Sequence, residues 1–178
     1  MRVALALIVV ILVAVAVTVV SRGGKNHPKF KSTDEFIQYM AGEAVSDADK
    51  ENHVHLDYSV DSIQQVETIL GQLHDQYVSN PNSVSAKGLG AAYGAYVGET
   101  IRRSEPNVKW QRDDAVGGEK SYPLIWAAGH SYPMAWCYHR IVNGPGDNVW
   151  IKYLALKRKG SSKLSDAFPN ALIVTRKK

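Results

Sequence analysis

Residues 89–103 read LGAAYGAYVGETIRR, and this stretch organises the rest of the chain. Leu89, Ala92, Tyr93, Tyr96, Val97 and Ile101 recur at three- and four-residue steps, the spacing of one helical face. The same window holds Gly90, Gly94 and Gly98. Each interior glycine costs a helix on the order of 1 kcal/mol against alanine. A helix over about 86–104 therefore needs compensation, and close backbone packing against a neighbour would supply it. The GxxxG spacing of a lipid-embedded dimer is a poor alternative, because Glu99, Arg102 and Arg103 charge this segment.

Upstream, Ser59 is expected to cap a helix with Asp61 in its first turn. Ile63, Val66, Leu70, Leu73 and Tyr77 form its apolar stripe, and the helix should stop near Val78, before Asn80-Pro81-Asn82. Ser32-Thr33-Asp34-Glu35 has the form of a capping box. It opens a short helix with Phe36, Ile37 and Met40 inward, followed by a polar loop over 41–53.

Downstream of Pro106 the period changes. Val108, Trp110 and Arg112 alternate with Lys109, Gln111 and Asp113, which predicts a half-buried strand. Residues 114–118 read as a loop and 122–127 as a second strand, with Pro123 suited to its start. Gly129-His130 suggests a turn, followed by a short third strand that includes Tyr132. Pro133 suits the first turn of a helix carrying Met134, Trp136, Cys137, Arg140 and Ile141, which ends at Asn143-Gly144-Pro145-Gly146. Asp147 or Asn148 caps a last helix with Val149, Ile151, Tyr153, Leu154 and Leu156. Residues 157–166 read as basic and flexible, and 171–174 as a short strand. The fold class is α+β: helices flanking a small antiparallel sheet, with one amino-terminal transmembrane helix.

The composition agrees with one folded domain. In 178 residues, 45% are apolar and 21% charged, which excludes a disordered chain and a multi-span transporter. The single cysteine, Cys137, excludes an intramolecular disulfide framework. The net charge of +4 hides an asymmetry: residues 1–33 carry +5, residues 157–178 carry +6, and the body between them carries −7. An acidic body argues against a nucleic-acid partner, leaving the 157–178 tail as the one place for such contact.

Residues 3–20 are apolar at every position except Thr18. As a helix they extend about 27 Å, enough to cross a hydrocarbon core of roughly 30 Å. The run exceeds an ordinary signal core and continues past the small-x-small triplet Ala14-Val15-Ala16, so an uncleaved single-pass anchor is preferred to a cleaved secretory signal. Residues 1–21 form that segment, 22–32 a basic linker, 33–156 the globular domain and 157–178 the basic tail. Arg22, Lys25, Lys29 and Lys31 follow the span and only Arg2 precedes it, so the positive-inside rule leans towards a cytoplasmic rather than periplasmic domain. Both basic ends are then placed for contact with anionic lipid.

Three segments carry a resemblance: the 89–103 helix, Trp110 in its strand, and Pro133 leading to His139-Arg140-Ile141-Val142-Asn143-Gly144. Together they resemble a group of small uncharacterised bacterial domains. These share a Gly-Ala-Tyr-Val-Gly-Glu-x-Ile-Arg-Arg helix, a Trp hairpin and a Lys-Arg-Ile-x-Asn-Gly helix end. His139 stands here where the group has lysine. The resemblance spans about 56–155 and implies a fold and a bacterial origin, with no activity attached.

Candidate chemistry is sparse. His53, His55 and Asp57 alternate, so an extended segment would place them on one face as a metal-like cluster; a solvent-facing edge explains them as well. Cys137 and His139 are two residues apart, about 200° on a helix, and so do not form a thiolate–imidazole pair. Glu99 with Arg102 and Arg103 has ideal helical ion-pair spacing. Its sharper reading is a partly buried acid beside the glycines that anchors the Trp110 strand. Trp126, Tyr132, Trp136 and Tyr138 suggest a concave aromatic patch, or an ordinary aromatic core. There is no phosphate loop, dinucleotide fingerprint or zinc-protease motif, and no cofactor is expected. The expected function is a membrane-tethered, non-enzymatic binding or accessory protein, of immunity type, that meets a protein partner. An envelope hydrolase centred on Glu99 or a histidine is the alternative.

Overall fold

The glycine-rich segment is the axis of the computed structural model, which describes residues 29–126 and 129–167, with side chains to 159 at the carboxyl end. It forms helix α3 (Ala86–Ser104), and the element order is α1 (Thr33–Asn52), α2 (Ser62–Ser79), α3, β1 (Lys109–Trp110), β2 (Leu124–Trp126), β3 (Gly129–Ser131), α4 (Pro133–Asn143) and α5 (Val149–Ala167). The architecture is α+β, rich in helix, with one small antiparallel sheet in the order β1-β2-β3. Lys109 pairs with Ile125, and Ile125 with His130.

The glycines act by absence. A Cβ on Gly90 would meet Tyr138, and one on Gly94 would overlap the Met134 backbone. The lack of side chains thus brings α4 down antiparallel onto α3. Gly98 does the same for the Trp110 indole. The close approach fills the core around Tyr93, Tyr96, Val97 and Ile101, all fully buried. Both buried tyrosines have hydrogen-bond partners, as buried phenols require. The Tyr93 hydroxyl donates to Asp47 at 2.6 Å. The Tyr96 oxygen accepts from the Tyr58 amide at 2.7 Å and lies 2.6 Å from the Ser62 hydroxyl.

α1 corrects one expectation. Residues 41–53 were to form a loop, yet the helix runs through Asn52. Its buried face is Ile37, Ala41, Ala44 and Ala48, at steps of four, three and four. Alanines form a weak stripe in sequence but allow close packing on α3. Ser32 caps the helix, accepting from the Glu35 amide, and Glu35 accepts from the Lys31 amide.

Three further differences have local causes. Ser59 accepts from the Ser62 amide within a turn preceding α2, so the helix itself starts at Ser62. Gly129 and His130 belong to β3 rather than to a turn, because the β2 register continues through them, while Tyr132 falls past the strand as the residue that precedes α4. Residues 157–166, read as flexible, continue α5, whose Lys157 reaches Glu105 at 3.3 Å. α4 ends as expected at Gly144, whose φ of 91° favours glycine. Asn148 caps α5 by accepting from the Ile151 amide at 2.9 Å.

A buried ion pair ties α2 to α4 and α5. Arg140 Nε donates to Glu67 at 2.6 Å, and the other Glu67 oxygen accepts from the Val149 amide at 2.8 Å. Among the described residues, no helix is long and apolar enough to cross a membrane. The 3–20 span and the 171–174 strand lie outside the described residues.

Candidate functional site

Glu99 lies one turn from the end of α3 and is 2% exposed. One carboxylate oxygen accepts from Trp110 Nε1 at 2.8 Å and from Arg102 Nε at 2.8 Å; the other accepts from Arg102 Nη2 at 2.9 Å. Arg103 approaches that second oxygen at 3.8 Å while its guanidinium covers the Tyr58 ring, 3.6 Å from the centroid. Burial alone would raise the Glu99 pKa, but the Arg102 and Trp110 hydrogen bonds outweigh it and hold the carboxyl below its ordinary value. The group is ionised and engaged. Its geometry is that of a clamp between α3 and β1.

A second carboxylate, Asp114, organises the loop between β1 and β2. Its Oδ1 accepts from the Val116 amide at 3.2 Å and from the Gly117 amide. Its Oδ2 accepts from the Tyr132 hydroxyl at 2.7 Å and faces His130 Nδ1 at 2.7 Å. The Asp114 side chain is 4% exposed, while that of His130 is 46% exposed. The Gly117 amide, then the Tyr132 hydroxyl and His130, lower the Asp114 pKa to about 2. The same contact raises the Tyr132 pKa, because ionising the phenol would set two anions face to face. At neutral pH an ionised, shielded aspartate therefore orients a solvent-accessible imidazole through Nδ1.

Beside this group lies a cleft of about 370 Å³. Val116, Tyr122, Met134 and Ala135 supply apolar lining; Lys120, Ser121 and Tyr132 supply polar groups. Val116 is 82% exposed at the loop tip.

No protein-family model, curated protein or solved structure matches the chain. Its chemistry must be read from its own side chains.

The structure brings Glu99, Arg102, Arg103 and Trp110 together and leaves the other sequence candidates apart from them. Trp126 is half-buried, donating from Nε1 to Ser131 at 2.9 Å, and Trp136 packs on the core from α4. Of the four aromatics suggested for one patch, Tyr132 lines the cleft and the other three do not. His53, His55 and Asp57 are exposed, and no group of three metal-binding side chains forms among the described residues. The Asp57 carboxylate is bonded to Ser59, which holds its pKa below the ordinary value. Cys137 is buried, which pushes its thiol pKa well up and keeps it protonated. Sequence reading missed Asp114 and its pairing with His130, sixteen positions apart. One signal was present: Asp followed by glycine three residues later marks a turn in which the aspartate caps its own backbone.

Proposed function

We propose that the chain is a membrane-tethered binding domain, an accessory or immunity-type protein, whose ligand-facing surface is the cleft beside Asp114. The observation that carries this reading is the cleft itself, lined by apolar Val116 and Met134 together with a small set of polar groups, Lys120, Ser121 and Tyr132. Concave, mostly apolar sites with few convergent polar groups are the usual form of a ligand pocket. The loop that forms one wall is held in shape by Asp114, so the surface is organised before any ligand arrives. The tether is residues 3–20.

An amide-resolved NMR screen of small amphiphilic acids and short peptides tests the reading. Hits should move the amides of 116–122 and of Met134 and Ala135, and Met134→Arg should abolish them. Hits that map elsewhere, or none, would count against the cleft.

One observation favours the second reading, a hydrolase. His130 is oriented by an ionised aspartate, the arrangement of a general base. Esters and phosphoesters turned over by the wild-type chain and not by folded His130→Ala would establish it. Equal rates for the two proteins would remove it.

A further inference from the structure

The antiparallel packing of α1 and α3 gives the domain two distinguishable ends. Asp47 meets Tyr93 towards one end. At the other, Asp34 lies close enough to favour the charged form of Arg102. The chain enters the domain at this second end. Phe30 packs on Phe36 and Tyr39, with ring centroids 5.3 and 5.2 Å apart, and Phe36 continues to Tyr122 at 4.8 Å. Glu105, one residue beyond α3, holds Lys157 of α5 at 3.3 Å. Lys157 therefore brings the middle of α5, one turn beyond Leu154, to the end where the chain enters.

The outward face of α5 is unusual. Val149 and Tyr153 are buried, while Ile151 and Leu154 are 63% and 44% exposed. Ile151, Leu154, Ala155 and Arg158 fall within an arc of about 100° at helical spacing. Arg158 and Lys159 are exposed beside them. Large apolar side chains flanked by cations on one helical face are the pattern of a helix lying in a membrane interface. Most acids at this end have cationic or amide partners: Glu99 with Arg102, Glu105 with Lys157, Asp113 with Arg112, and Glu35 with the Lys31 amide.

We propose that the outward face of α5, where the helix reaches this end, is a lipid-contact surface, on which Leu154 and, one turn back, Ile151 enter the headgroup layer of an anionic bilayer while Arg158, Lys29 and Lys31 meet its phosphates. The proposal rests on residues 3–20 being a membrane span. Residues 21–28 then reach at most about 29 Å, which keeps a bilayer within range of this face at all times. A surface carrying exposed isoleucine and leucine among cations fits that neighbour by both apolar burial and charge.

The test uses the full chain with Ile151→Cys carrying an environment-sensitive fluorophore; buried Cys137 stays unlabelled. The protein is reconstituted with vesicles of phosphatidylcholine alone or with phosphatidylglycerol added. A blue shift and quenching by a lipid-borne quencher are expected with phosphatidylglycerol alone. Both should be lost at high salt and in the Arg158→Glu variant. A label at Val78→Cys, exposed at the end of α2, should stay in water throughout. A label at 151 that remains in water on phosphatidylglycerol vesicles overturns the proposal, and equal burial on phosphatidylcholine overturns its anionic component. Flotation with phosphatidylcholine vesicles reports the tether separately: a chain that does not float contradicts the span, whatever the label shows.

Discussion

Trp110 donates its indole hydrogen to Glu99 at 2.8 Å while the same ring covers Gly98, the preceding residue of α3. One position supplies the acceptor and its neighbour supplies the space. The first strand is thereby fixed on the helix at a single register, and β2 and β3 follow from it by pairing.

Alanine substitutions along the glycine series should separate by what each new methyl meets. Gly94→Ala drives a Cβ into the Met134 backbone, which cannot rotate away, and should cost about 3 kcal/mol, the upper part of the overpacking range. Gly98→Ala meets the far edge of a side chain that can tilt, though tilting strains the bond to Glu99; about 1–2 kcal/mol is expected. Gly42 in α1 has nothing within 4 Å, so Gly42→Ala should stabilise by about 0.5–1 kcal/mol. Urea denaturation of the three variants measures this order directly.

The clamp itself should behave as a coupled pair. Trp110→Phe removes the donor and Glu99→Gln removes the charge that Arg102 also uses. The double-mutant cycle is expected to give a coupling of about 1–2 kcal/mol, in the range of hydrogen bonds to charged groups. Additive losses would mean that the ring packing, and not the hydrogen bond, holds β1. The Glu99 pKa is lowered by folding, so its stabilising contribution is complete above the ordinary carboxylate pKa. It is lost as pH falls through the lower folded value.

Asp114 should dominate the acid sensitivity of the cleft. Its pKa falls to about 2 in the folded chain from an ordinary value of 3.8. Its contribution is therefore fully present above about pH 4 and disappears as pH drops towards 2. Asp114→Asn should flatten that part of the pH–stability curve and loosen the 114–121 loop. Hydrogen exchange at the Val116 and Gly117 amides should rise in the variant, since both donate to the carboxylate. Unchanged exchange would show that the loop is held by its backbone bonds alone.

How much of this was legible depended on the distance over which each signal acts. The α2 and α3 helices were readable because large apolar residues repeat at helical steps, as with Ile63, Val66 and Leu70. Capping gave both ends of α4, from Pro133 to Gly144. The second half of α1 was hidden, because Ala41, Ala44 and Ala48 contribute little hydrophobicity while their buried face depends on a partner that also lacks bulk. The Glu99 ion pairs were visible as local spacing, and the tryptophan partner as a strand nearby. The Asp114–His130 contact was not, because it joins the loop before β2 to β3 through the sheet register, and no local period encodes that.

The Glu67–Arg140 pair offers the sharpest test of the helical half. Both side chains are largely buried, 14% and 9% exposed, and they join α2 to α4. Glu67 also receives the first amide of α5, where a carboxylate suits the positive end of the helix dipole. Glu67→Ala would leave a buried guanidinium without its partner and the Val149 amide without an acceptor. A loss of about 3–5 kcal/mol is expected, the usual result of breaking one side of a buried pair. Arg140 Nη1 already has no hydrogen-bond partner among the described residues, so the guanidinium is incompletely satisfied even in the wild type. Replacing both members, as Glu67→Leu with Arg140→Met, should therefore recover much of the loss, because an apolar pair of similar volume has no desolvation penalty to offset. Thermal unfolding of Glu67→Ala and of the double variant decides the matter. A double variant no better than Glu67→Ala would show that the Val149 amide, rather than the ion pair, is what Glu67 supports.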